Sequence, residues 1–231
     1  MGLHLCYELD LASETTEEAV LTLLEKLREA ATRLPFKRVS RMFRLSGETC
    51  RLGPPGDRDE LEWFLTIFTR GSSARYPDPE YPREVQSERA LGFVVHPGAR
   101  CEAAALGLAR FPVPVRARRG DEEYETQGWH WHAMCKAQYA SVVSDDHLIK
   151  CHLGLVDLLD AASRLGFGVT VRDETHYWET RDTARLVAEV HAMNRIVARI
   201  AGRVADAMPE GLRAGGSILD HPEFERLEME E

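Results

Sequence analysis

The stretch VPVRARRGDEEYETQGWHWHAMC, residues 113–135, alternates apolar and polar side chains on either side of the turn signal Gly120-Asp121. That pattern predicts a β-hairpin. In the register set by the turn, Arg118 faces Glu123 and Arg116 faces Glu125, so opposite charges pair across the strands. The basic cluster Arg116, Arg118 and Arg119 then reads as a charged sheet edge that discourages edge-to-edge pairing, in preference to a phosphate-binding patch. Unbroken alternation would put Trp129 and Trp131 on the face of Glu123 and Glu125, an inconsistent surface. Gly128 is the place for a bulge that resets it. Beyond Gly128, Trp129, Trp131, Ala133 and Cys135 share one face, and His130, His132, Met134 and Lys136 share the other.

Working outward, LHLCYELDL (3–11) alternates cleanly and predicts a strand buried on one face through Leu3, Leu5, Tyr7 and Leu9. Thr15 followed by Glu18 has capping-box spacing, and opens a helix whose apolar stripe runs from Val20 to Leu34 and stops at Pro35. Strands are predicted at 36–45, 61–70 and 91–98, with a Pro- and Tyr-containing loop at 71–90. The Ala-rich run 99–111 reads as a short helix. Ser144 to Asp146 supply an N-cap and first-turn negative charge for a helix that Gly166 ends, whose apolar stripe of Leu148, Leu155, Val156, Leu159 and Ala162 also takes in His152, and FGVTVRD (167–173) is a further strand. A last helix starts near Thr183, with Leu186, Val190, Met193, Val197, Ile200 and Val204 at alternating spacings of four and three.

This order predicts an α+β protein: a mostly antiparallel or mixed sheet, about four helices packed mainly on one face, with room for ferredoxin-like βαβ elements. Residues 1–210 read as one domain and 211–231 as an acidic, loosely held tail.

Composition narrows the functional classes. A net charge of −9 argues against nucleic acid as a partner, because an acidic surface repels phosphates. No apolar run is long enough for a membrane span, and the first residues lack a signal peptide's pattern, which sets the expectation of a cytoplasmic protein with no membrane partner. The five cysteines show no C-x-x-C pair, and read as reduced thiols in apolar settings that disfavour the thiolate, Cys135 and Cys151 included. Only Lys26, Lys37, Lys136 and Lys150 are lysines, a bias toward arginine that matches a GC-rich bacterial genome.

Two histidines two apart on a strand project to one face, so His130 and His132 can chelate zinc or another divalent transition metal if a third ligand converges; His152 on the following helix is the first choice, with His4 or Glu8 on the first strand and Asp173 or His176 near the last strand as the other available donors. Without metal, His130, His132 and Lys136 with Glu8 or Asp10 across the sheet compose a candidate acid–base set for a small-molecule ligand. Against both stands the ordinary case, in which each histidine covers the sheet or holds one hydrogen-bond partner. Tyr177 and Trp178 are a candidate partner surface, the alternative being a packed entry to the last helix. Two functions follow. The first is a non-catalytic binding or assembly protein, self-associating as a homodimer through the last helix and needing no cofactor. The second is a small-molecule enzyme, metal-dependent, with a histidine-lined pocket on the sheet face. The first carries more weight because no catalytic motif is complete.

Overall fold

A computed structural model describes residues 3–50, 87–119 and 122–206, together with Ile218, His221 and Leu227. The chain runs β1 (Leu5–Leu11), α1 (Glu17–Thr32), β2 (Arg38–Val39), β3 (Phe43–Ser46), β4 (Arg89–His96), β5 (Ala104–Arg119), β6 (Glu122–Cys135), α2 (Asp145–Arg164), β7 (Gly168–Asp173), α3 (Tyr177–Thr180) and α4 (Thr183–Asp206). Short 3-10 turns lie at Gly47–Cys50 and Gln138–Val142. The seven strands form one sheet in the order β2-β4-β5-β6-β1-β7, with β3 also paired to β4. Every pairing among the described strands is antiparallel. With four helices, this is the α+β class the sequence predicts. β1 and β2, joined through α1, are separated in the sheet by β4, β5 and β6.

The hairpin of β5 and β6 has the predicted register, with Arg116 opposite Glu125 and Arg118 opposite Glu123; the turn residues Gly120 and Asp121 lie outside the described residues. The bulge is also where Gly128 places it. Pairing runs from Phe111 opposite Gly128 to Val115 opposite Thr126, leaving three residues of β5 against one of β6. Gly128 has φ +90°, and a Cβ there would stand 2.6 Å from Ser13 Cα, so both conformation and space demand glycine.

The Ala-rich run is a correction. Instead of a helix over 99–111, residues from Ala104 onward are strand β5, hydrogen-bonded between β4 and β6. Ala104, Ala105, Leu106, Leu108 and Ala109 are all buried, so the run is apolar on both faces and carries no periodicity to separate strand from helix. Alanine's helix preference, at most about 0.7 kcal/mol per residue over ordinary residues, is overridden by that burial. Small residues serve a different end here. Gly92 and Gly107 are cross-strand partners, and a Cβ on either would meet a carbonyl oxygen of the neighbouring strand at 2.4 Å.

Other departures are smaller. The strand predicted over 36–45 is broken into β2 and β3, both paired to β4. The α1 cap is Thr16, whose side chain accepts from the Ala19 N–H, and Thr15 stands outside the helix. α2 begins and ends as predicted, with Ser144 capping the His147 N–H and Gly166 at φ +96° past its end. The predicted strand at 61–70 and the loop through residue 86 lie outside the described residues.

The core is one contiguous cluster in which Leu5, Tyr7 and Leu9 of β1 pack with Trp129 and Trp131 of β6, Leu24 and Leu27 of α1, and Leu148, Leu155 and Leu159 of α2. The polar atoms of its tyrosine and tryptophans are satisfied. The Ala105 carbonyl accepts from both the Tyr7 hydroxyl (2.7 Å) and the Trp131 indole N–H (2.9 Å), and the Trp129 indole donates to the Thr15 carbonyl (2.9 Å). At the far end of α4, Ile218 and Leu227 are buried in a second, small cluster with Ala198.

Candidate functional site

Register, together with the strand period of two, decides which polar side chains meet. In the β1–β6 pair, Glu8 is opposite His132 and Asp10 is opposite His130. Leu5, Tyr7 and Leu9 alternate with these acids and turn to the core, so Glu8, Asp10, His130 and His132 share the other face. On the far side of β1 the same face carries Thr170 and Arg172 of β7, both exposed. The sheet therefore presents a row of acids on β1 flanked by imidazoles on β6.

His130 is the enclosed member. Its side chain is 1% exposed, and its Nδ1 is paired with Asp10 Oδ1 while the Asp10 carboxylate remains 40% exposed. Glu8 completes a triplet with them: one donor atom each from Glu8, Asp10 and His130 lie within 4.8 Å of one another. A nitrogen and two carboxylate oxygens are a donor set that suits a divalent transition ion.

The sequence-based metal set of His130, His132 and His152 is not brought together. His152 sits on α2 and bonds through Nε2 to Asp173 Oδ2 at 2.9 Å, with the edge of the Tyr177 ring against it. Asp173 is opposite Leu5, on the core face of β1, so the sheet itself stands between His152 and His130. The helix stripe places His152 toward the core correctly, but parity along β6 sends the other two imidazoles away. The proposed acid–base set is likewise divided. Glu8, His130 and His132 are neighbours, whereas Lys136 lies beyond the end of β6 with its ammonium group over the Tyr139 ring and its backbone N–H bonded to Glu102.

Asp173 organises the segment in front of α4. It accepts from His152, the Thr175 hydroxyl (2.7 Å), the Thr175 N–H (2.9 Å) and the Trp178 N–H (3.0 Å). Burial pushes its carboxyl up, but the His152 and Thr175 bonds outweigh that and hold it below the usual carboxylate range. Within this segment Tyr177 is buried against His152, and Trp178 is half-buried beneath the Arg181 guanidinium at 4.6 Å. Most of this aromatic pair is thus spent on packing.

No family model, curated protein or solved structure matches this chain. Among the described residues no helix is long and apolar enough to cross a membrane.

Asp10, expected from the sequence only as an alternative to Glu8 in the acid–base set, stands in the structure beside Glu8 and bonded to His130; the sequence did not put the two acids together as metal donors, because that depends on the β1–β6 register.

Proposed function

We propose that this chain is a binding protein that takes a divalent transition metal ion on the polar face of β1 and β6, with Glu8, Asp10 and His130 as ligands. The convergence of three donor atoms within 4.8 Å carries this reading. A set of one imidazole and two carboxylates leaves coordination positions for water or a small anionic ligand, and contains no thiolate to restrict it to soft ions. His132, opposite Glu8, borders the site.

The test is titration of the chelator-treated chain with zinc by calorimetry and with cobalt by visible absorption. Asp10→Asn and Glu8→Gln each remove a partly exposed carboxylate without opening the core, and each weakens binding by about a hundredfold if the group is a ligand. Unchanged affinity in Asp10→Asn, with native circular dichroism, overturns the assignment.

A second reading, self-association through α4, is favoured by a separate observation. Ile196, Ile200 and Val204 stand 47%, 39% and 50% exposed at four-residue spacing along that helix. They form an apolar stripe of the kind that α-helical interfaces bury.

A further inference from the structure

At the end of β7 remote from Asp10, four segments close around a hollow of about 480 Å³. The residues before β1 give Leu3, fixed by its N–H bond to Gln138 Oε1 (2.8 Å), and α4 gives Met193, next to the buried Asn194. These two half-buried side chains are the apolar part of the hollow. β7 gives Arg172, the turn after it gives Glu174 and His176, and α3 gives Glu179. The turn is held from beneath by the Asp173 carboxylate, which accepts from Thr175 and the Trp178 N–H. His176 then enters the left-handed region at φ 59°, with its N–H on the Asp173 carbonyl (3.0 Å).

The charges in this hollow do not cancel. Glu174 is engaged on both oxygens: Oε2 accepts the His4 N–H (2.9 Å) and meets His4 Nδ1 (3.3 Å), while Oε1 lies 3.5 Å from the Arg172 guanidinium. Asp173 spends its carboxylate on the donors around it. Glu179 and His176 differ from both. Among the described residues, no hydrogen bond or ion pair takes up the Glu179 carboxylate or the His176 imidazole. With Arg172 matched by Glu174, a negative charge on Glu179 is left over, three residues from an imidazole whose unprotonated nitrogen accepts.

We propose that this hollow binds a small primary amine with an apolar body, at a site separate from the Glu8, Asp10 and His130 group. An ammonium group has three donors and no acceptor, which suits two acceptors left without a partner on one wall. Its body lies on Leu3 and Met193, and the unbranched thioether of Met193 adapts to bodies of different shape. The volume falls within the range of small-molecule sites, roughly 300–1,000 Å³. The net charge of −9 adds long-range attraction for a cation. A carboxylate ligand meets the opposite situation, with a single arginine that an acid already bridges.

The experiment is titration of the chelator-treated full chain with butylamine, and separately with butyrate, at constant ionic strength, followed by amide NMR shifts. Butylamine shifts Leu3, Glu174, His176 and Glu179 saturably, and butyrate does not. Glu179→Gln, at an exposed position, weakens butylamine binding about tenfold, whereas Glu189→Gln, on the same side of the sequence but outside the hollow, leaves it unchanged. Met193→Ala weakens butylamine and spares methylamine, which has no body to place. Circular dichroism checks that the variants fold. The proposal is overturned if butyrate binds as tightly as butylamine, if Glu179→Gln binds as the wild type does, or if the amine shifts scatter over the acidic surface without saturating.

Discussion

Asp173 and Asp10 show how one residue type takes opposite roles on the two faces of one sheet. Both face a histidine. Asp173 does so in the interior with four donors around it, and Asp10 does so at the surface with an open carboxylate. The Asp173 arrangement is structural, and it has a measurable consequence. A carboxyl held below its unfolded value contributes stability that is complete above about pH 4 and is lost as the pH falls through its lower folded value. Asp173→Asn keeps the size but lacks the charge that His152 and the N–H groups face, and costs about 2 kcal/mol at neutral pH. The loss of stability on acidification, followed by urea denaturation across that range, should be shallower in the variant. An unchanged acid limb would remove Asp173 from the account. Sequence reading found His152 inside an apolar helical stripe but could not name its partner. Asp173 is 21 residues away, and only the docking of α2 beside β7 brings them together.

At the scale of elements, legibility followed periodicity. β1 and α2 have one buried face each, and their alternation or stripe was visible in the residues themselves, as was the alternation of β6 and the glycine that breaks it. β5 was misread because Ala104 to Ala109 is buried on both faces, and a strand covered on two sides looks like a helix covered all round. The candidate metal site was half legible: the two histidines on β6 and an acid across the sheet were named from alternation, but which histidine meets both acids depends on the β1–β6 register. α4 is divided in a way its spacing did not announce. Leu186 and Val190 enter the core. Asn194 is buried in a hydrogen-bonded group, accepting from the Gln138 amide (2.7 Å) and donating to the Ser141 hydroxyl (2.9 Å), and beyond it the helix exposes Ile196, Ile200 and Val204. If that stripe is an interface, light scattering across a dilution series should give a mass above that of one chain, and Ile200→Asp should return it to the monomer at every concentration. A strict monomer at millimolar protein ends the assembly reading.

Considering the whole molecule, the two buried clusters differ greatly in size. The main core joins the sheet to α1 and α2, whereas the small one, among the described residues, holds Ala198, Ile218 and Leu227, with Tyr139, Val197 and Ala201 packed against it. Leu227→Ala removes much of that second cluster, at a local cost of about 2 kcal/mol. Hydrogen exchange should then speed up in the second half of α4 while β1 and β6 keep their protection. Exchange rising equally everywhere would mean that the two clusters unfold as one. The order of the sheet carries a kinetic consequence as well. β1 is paired on both edges, but to segments over a hundred residues downstream, at Trp129–Cys135 and Gly168–Asp173. Until both have been made and have returned to it, this segment is a ribbon with two unsatisfied borders, and the large chain loops that must close around it oppose its capture. The acids that alternate along it, Glu8 and Asp10, are then its guard against sticking to a neighbouring chain, by mutual repulsion.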